Sequence, residues 1–157
     1  MAVRPKYSLP EFERRWLVPD VASLRGLLEE GRLVEDQYVA GTRLRLRRVT
    51  DAQGGVTAKL GKKYGAEAGA FESIVNVYLD AAEYALLAEL PAYRSRKRRY
   101  SLKSGSLDVY ESPRAGLCVF EIELPSEAEI VAYAPPAFVG WEITGDSRYS
   151  GFAIARE

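Results

Sequence analysis

Charged and apolar residues alternate along one strand-like segment after another, and this alternation restricts the fold more than any other feature. In TRLRLRR, residues 42–48, arginine returns at every second position, and in CVFEIEL, residues 118–124, glutamates alternate with Phe120 and Ile122. Side chains two residues apart on a strand point to the same face of a sheet. Each of these strands is therefore expected to have one charged face and one apolar face.

Strand-like segments dominate the chain, and two helices interrupt them. The first helix is predicted after Asp20 as N-cap and ends near Gly31; the second has Asp80 as N-cap, with Glu83 three residues later, and ends at Pro91. A third short helix is predicted from Ser126. The predicted strands are 11–18, 32–39, 42–49, 56–63, 73–79, 94–101, 106–111, 116–124 and 138–143.

A sheet with this many strands tends to curl until it closes, and its apolar face needs a cover. The two amphipathic helices supply apolar stripes for that purpose, so we expect the apolar faces to point outward and the charged faces inward. The alternative is an open antiparallel sheet with its charged face in solvent, which any one strand alone would favour. The expected fold is α+β, mainly β: about eight antiparallel strands in a barrel or a strongly curled sheet, with helices packed outside.

Composition limits the chemistry that such a barrel can carry. The 157 residues suffice for one domain, 1–157, and contain no histidine, which excludes Ser-His and Cys-His catalysis and histidine-ligated zinc. Cys118 is alone, so we expect a buried thiol and a reducing, cytoplasmic location. Acidic and basic residues balance at 22 each, so neither nucleic acid nor a membrane is an expected partner.

The inward charges are arranged in two groups. Glutamates cluster on the first and last strong strands, whereas arginine and lysine occupy the strands between them. Several carboxylates in one cavity repel each other unless divalent cations such as Mg²⁺ or Mn²⁺ lie among them. The basic residues in turn favour a multivalent anion, and a polyphosphate suits both groups because a metal ion bridges carboxylate and phosphate oxygens.

One series of motifs resembles a known family. EFERR, residues 11–15, resembles the Glu-x-Glu-x-Lys signature of the CYTH domain, the fold of the triphosphate tunnel metalloenzymes. The resemblance continues in order along nearly the whole chain, and it implies an eight-stranded tunnel that binds triphosphate-containing substrates with Mg²⁺ or Mn²⁺. The further matching segments are QYVAGTRLRLR, TAKLGKKY, VYLDAAEYALLAELPA, RKRRY, LDVYES, GLCVFEIEL and GWEITGDSRYSG.

The resemblance also implies roles for individual residues. Arg15 replaces the signature lysine. Because a guanidinium is wider than an ammonium and cannot deprotonate, this replacement is expected to affect the reaction rate or the geometry of substrate binding. Tyr38 matches a tyrosine that works beside that lysine, although a packing role is an alternative. Arg43 and Arg45 could instead form internal salt bridges with the glutamates. The implied metal-site acids are Glu11, Glu13, Asp108, Glu121 and Glu123, and the implied phosphate-binding residues are Arg43, Arg45, Lys59, Lys97 and Arg99.

The predicted function is metal-dependent hydrolysis of a small-molecule triphosphate, in first place inorganic triphosphate to pyrophosphate and phosphate. Two alternatives stay open at this point: a class IV-type adenylate cyclase, and a non-catalytic polyphosphate- or nucleotide-binding module. The protein is expected to be a monomer or a homodimer.

Overall fold

The strands of the protein form one antiparallel sheet. The structure is a computed structural model that describes residues 5–65 and 72–157. The strands follow one another around the sheet in the order β1-β6-β5-β4-β3-β7-β8-β9-β2. They are β1 (Leu9–Pro10), β2 (Phe12–Leu17), β3 (Arg32–Val39), β4 (Leu44–Thr50), β5 (Val56–Lys63), β6 (Ser73–Leu79), β7 (Ala92–Leu102), β8 (Gly105–Ser112) and β9 (Cys118–Leu124).

The N-terminal segment closes this sheet into a barrel. β1 pairs with β6 at one edge, and β2, the next strand in the chain, pairs with β9 at the other edge. Between them the backbone N–H of Glu11 donates to the carbonyl oxygen of Glu72 at 2.9 Å. The predicted antiparallel barrel is thus confirmed. Within residues 5–65 and 72–157 there are nine strands instead of eight because the first strand is divided at Glu11.

The described residues form three short α-helices besides the strands: α1 (Ala81–Ala88), α2 (Glu127–Ala132) and α3 (Gly151–Ala155). The predicted capping box of α1 is present, with Asp80 accepting from the backbone N–H of Glu83 and Glu83 from that of Asp80. The helix predicted after Asp20 is a 3₁₀ helix, Ala22–Leu27. A second 3₁₀ helix, Ser147–Tyr149, precedes α3.

One predicted strand is absent, and the predicted cover by α1 is only partial. Segment 138–143 is not a strand, because Pro135 and Pro136 precede it and Gly140 interrupts it; a single bridge joins Trp16 to Glu142. The apolar stripe expected on α1, Tyr84, Leu87 and Leu90, covers the barrel only in part: Tyr84 and Leu87 are half-buried, whereas Leu90 is 40% exposed, and no residue of α1 is fully buried.

The apolar core lies between one side of the barrel and the segments that cover it. Trp16, Phe120 and Ile122 point outward from β2 and β9 and are at most 2% exposed. Leu24 from the first 3₁₀ helix and Ile130 from α2 pack over them. The barrel is therefore stabilised from outside, which leaves its interior free for polar side chains. None of the helices in the described residues is long and apolar enough to cross a membrane.

Candidate active site

The inner face of the barrel surrounds a cavity of about 800 Å³ lined mainly by charged side chains. Strand register brings both predicted groups of charged residues, the acidic and the basic, inside the barrel. Glu13 lies opposite Glu123, and Arg47 lies opposite Lys59. The predicted inward orientation of the charged faces is confirmed, and the open-sheet alternative is wrong. Of the residues predicted from the resemblance, those lining the cavity are Glu11, Glu13, Arg15, Tyr38, Arg43, Arg45, Lys59, Lys97, Arg99, Glu121 and Glu123.

Glutamates from β2 and β9 form the acidic side of the cavity. Burial raises the pKa of Glu13, and the nearby carboxylates of Glu121 and Glu11 raise it further. Burial, Glu11 and Glu121 likewise raise the pKa of Glu123, which forms no ion pair with any described residue. These carboxylates lie in each other's negative field, an arrangement that a bound cation would stabilise.

Lys63 supplies the nearest positive charge to this acidic side. Its Nζ lies 2.7 Å from Glu11 Oε2, 3.7 Å from Glu13 Oε1 and 3.2 Å from Glu72 Oε2. Strand alternation alone left the orientation of Lys63 open, because a register error of one residue would turn it outward. Its position among three carboxylates comes from the pairing of β5 with β6, in which Lys63 faces Ile74.

Glu121 connects the acidic side to the basic side. Its Oε1 accepts a hydrogen bond from Arg99 Nη2 at 3.3 Å, and its Oε2 lies 3.5 Å from Arg15 Nε. Burial would raise the pKa of Glu121, but the field of Arg99 outweighs it and holds that pKa below its ordinary value. Glu121 is thus an ionised carboxylate that touches both arginines.

Two buried aspartates hold the inner arginines in position. Asp108 accepts from Lys97 Nζ at 2.6 Å and from Arg99 through both carboxylate oxygens at 2.7 Å. Asp36, which sequence reasoning missed, accepts two hydrogen bonds from Arg47 at 2.6 and 2.7 Å. The sequence does carry a signal for Asp36: it stands two residues before Tyr38 on β3, so both side chains point to the inner face. Both aspartates are at most 2% exposed.

Other cations on the basic side lack a carboxylate partner at hydrogen-bonding distance. Lys59 forms no ion pair with a described residue, and burial together with Arg47 and Arg45 lowers its pKa. Arg45 Nε is buried without a hydrogen-bond partner in the described residues, and its nearest carboxylate oxygen, on Asp36, is 4.0 Å away. Arg43 donates to the backbone carbonyl of Tyr64 at 2.8 Å. The alternative in which Arg43 and Arg45 pair with the glutamates is not observed.

A glycine keeps the space beside Arg45 open. Gly61 lies opposite Arg45 on β5, and a Cβ there would lie 2.8 Å from Asn76 Oδ1 and 3.7 Å from Arg45 Nη2. A larger residue at this inward position would therefore reduce the room next to the unpaired guanidinium.

Arg15 and Tyr38 both contact the C-terminal segment, which covers part of the cavity. Arg15 Nη1 donates to the backbone carbonyl of Tyr149 at 2.9 Å. The Tyr38 ring packs edge-on against Phe152, and its hydroxyl lies so close to Gly151 that a side chain at 151 would collide with it. Burial and the charge of Asp36 raise the pKa of Tyr38, so its hydroxyl stays protonated at neutral pH.

The acidic side fits a divalent cation in its chemistry. Its ligands are carboxylate oxygens, which Mg²⁺ and Mn²⁺ prefer, and a cation, the ammonium of Lys63, already lies among them. In the present arrangement, no three acidic side chains of residues 5–65 and 72–157 are grouped closely enough to hold a metal ion. Metal binding at this site therefore requires the side chains to rearrange.

Known proteins with a similar sequence and structure act on triphosphate. The chain is 33% identical over 97 residues to an inorganic triphosphatase of Nitrosomonas europaea, a match that spans 57% of this chain and 63% of the relative. The crystal structure of the inorganic triphosphatase NE1496 superposes with a TM-score of 0.59 and 26% identity, covering 95% of this chain and 96% of that chain. This chain shares the fold of that triphosphatase.

Two further findings complete the comparison. A second crystal structure, that of the hypothetical protein NE1496, superposes with a TM-score of 0.58 and 28% identity over 94% of this chain and 98% of that chain. No protein-family model matches the chain.

Proposed function

We propose that this protein is a CYTH-type, divalent-metal-dependent triphosphatase that hydrolyses inorganic triphosphate to pyrophosphate and phosphate. One observation carries the proposal: Arg45 and Lys59, cations with no carboxylate at hydrogen-bonding distance, share a cavity with a group of mutually repelling glutamates. A multivalent anion neutralises the first group and a divalent cation neutralises the second. The likeness to inorganic triphosphatases supports a triphosphate as that anion.

The basic side supplies the phosphate-binding groups. Arg45, Lys59 and Arg43 provide the charge that an anion would neutralise, whereas Lys97 and Arg99 are held in fixed positions by Asp108. Because Asp108 already accepts from both cations, we assign it to orienting them in place of the metal-ligand role implied by the resemblance. A guanidinium oriented in advance loses little freedom when it binds a phosphate oxygen.

The acidic side would hold the metal ion, Mg²⁺ or Mn²⁺, through Glu11, Glu13, Glu121 and Glu123. When bound, the ion neutralises charge on the phosphate oxygens and lowers the pKa of water. The protein's own contribution is positioning and charge stabilisation. The basic side holds the triphosphate extended so that water attacks the terminal phosphorus in line with the departing pyrophosphate. Arg15, close to Glu121 and at the boundary of the two sides, is placed to neutralise charge in the transition state.

The direct test is phosphate release from inorganic triphosphate with Mg²⁺ and with Mn²⁺, comparing the wild type with Glu123→Gln. Glu123 forms no ion pair in the described structure, so its amide replaces a carboxylate without breaking a contact. We expect kcat to fall by about 100-fold or more because a ligand of the metal ion is lost. Glu111→Gln is the matched control, since Glu111 pairs with Arg96 and Arg98 on the outer face. Equal turnover in the two variants would reject the assignment.

Two further measurements separate the two alternatives. Cyclic AMP formed from ATP would identify a cyclase, and tight binding of triphosphate by calorimetry without turnover under either metal would identify a binding module. Cytoplasmic location and a monomeric or homodimeric state stay predictions.

A further inference from the structure

Lys63 occupies a position for which substrate binding alone gives no reason. It belongs to the basic strand β5, yet its ammonium lies among the carboxylates of Glu11, Glu13 and Glu72 and not beside the unpaired cations. The three carboxylates come from two parts of the chain, the divided first strand and the residue before β6. Lys63 thus links the acidic side across the seam where the barrel closes.

The side chain is suited to act as an internal cation. Its Nζ lies 2.7 Å from Glu11 Oε2 and 3.7 Å from Glu13 Oε1, so two carboxylates stabilise the charged form of the lysine. The ammonium is therefore charged at neutral pH. Because opposite charges this close attract strongly in a partly buried site, the ammonium stabilises glutamates that otherwise repel each other.

We propose that Lys63 is an internal counter-cation that competes with the divalent metal ion for Glu11 and Glu13. The inference rests on the proposed function, because it assumes that these glutamates bind a metal ion. An ammonium and a metal ion cannot share the same carboxylate oxygens at close range, since both are positive. Metal binding accordingly requires Lys63 to leave its present position.

The position of Lys63 on β5 gives this displacement a consequence for substrate binding. Lys59, Gly61 and Lys63 all line the cavity, so a displaced Lys63 remains on the same inner face as Lys59. A triphosphate would attract the ammonium and free the glutamates, while a metal ion would release the ammonium toward the triphosphate. By linkage, each ligand increases the affinity for the other.

The test is the affinity of the substrate-free protein for Mn²⁺, measured by calorimetry and by the electron paramagnetic resonance signal of free Mn²⁺. Lys63→Met removes the competing charge, and we expect Kd to fall by about tenfold relative to the wild type. Lys62→Met is the matched control: it changes the net charge equally, but Lys62 is exposed and lies over the ring of Tyr64. Its Kd should equal that of the wild type.

A second variant guards against misfolding, because Lys63→Met leaves the carboxylates without a partner. Lys63→Gln can still donate a hydrogen bond to Glu11 and should also bind Mn²⁺ more tightly. A Kd unchanged or weakened in both folded variants would overturn the inference and leave the proposed function standing. No Mn²⁺ binding by the wild type or by either Lys63 variant would overturn both. An equal fall in Kd in Lys62→Met would show that net charge alone causes the tighter Mn²⁺ binding. That result would overturn the inference but not the proposed function.

Discussion

At the scale of single residues, the charged interior depends on two aspartates that bind no ligand in our proposal. Asp36 and Asp108 are more deeply buried than any of the glutamates, and each accepts charge-assisted hydrogen bonds from inner cations. The fields of those cations hold the pKa of both aspartates below the ordinary value, although burial acts in the opposite direction. Ionised aspartates thus keep some cations in place and leave others without a partner.

Removing one of these charges should cost much more than removing a surface charge. In Asp36→Asn, Arg47 remains 8% exposed with no ionised partner at hydrogen-bonding distance. We expect the free energy of unfolding to fall by about 3–5 kcal/mol, as when one member of a buried pair is lost. Urea denaturation measures the change. Glu35→Gln, which affects the more exposed pair with Arg48, should cost less than about 1 kcal/mol; similar losses in both variants would contradict this account.

The sequence predicts which residues face the cavity, but not how they pair. Alternation places Glu13, Arg45 and Glu123 inside because side-chain direction depends only on strand parity. Pairing depends on register between strands and on side-chain rotamers, which neighbouring residues in the chain do not determine. Hence Lys63 and Asp36 acquire their roles only in three dimensions.

At the scale of elements, the helices contribute unequally to stability. Ile130 of α2 is fully buried against the barrel, whereas Leu86 of α1 is 75% exposed. α1 has its capping box to define its start, but no buried side chain. The predicted outer cover therefore consists of α2, the first 3₁₀ helix and the loop around Phe138.

Alanine substitution should expose this difference. Ile130→Ala should lower the free energy of unfolding by about 2–5 kcal/mol, since it leaves a cavity in the outer core. Leu86→Ala should change it by less than about 0.5 kcal/mol because that side chain remains in water. Thermal or urea unfolding of the two variants provides the comparison. A large loss in Leu86→Ala would show that α1 packs more firmly than its exposure indicates.

Element prediction succeeds where a periodic pattern is long enough. The bounds of β3, β5 and β6 agree with the predicted segments 32–39, 56–63 and 73–79. α3 is only five residues long, too short for a helical period to emerge, and it was missed. This omission matters for the site because α3 brings Phe152 against Tyr38.

At the scale of the whole molecule, the buried charges give stability an optimum in pH. Asp36 and Asp108 have lowered pKa values, so the unfolded chain binds protons first, and stability falls as the pH drops below about 4. Glu13 and Glu123 have raised pKa values, so the folded chain binds protons first, and without metal stability falls as the pH rises above the ordinary glutamate pKa of about 4.5.

Urea midpoints measured from pH 3 to 8 in a chelator should therefore rise and then fall. Glu13→Gln should flatten the limb above about pH 5, and Mn²⁺ should do the same by neutralising the glutamates. Midpoints that rise steadily up to pH 8 would contradict the repulsion inferred for the acidic side.

The division of the first strand at Glu11 has a consequence for how the chain folds. β1 needs β6 and β2 needs β9, partners that lie roughly 60 and 110 residues further along the sequence. β1 and β2 are thus synthesised before the strands with which they pair. Until β9 has emerged, the unfinished barrel has open edges, and the acidic side that includes Glu11 and Glu123 does not exist.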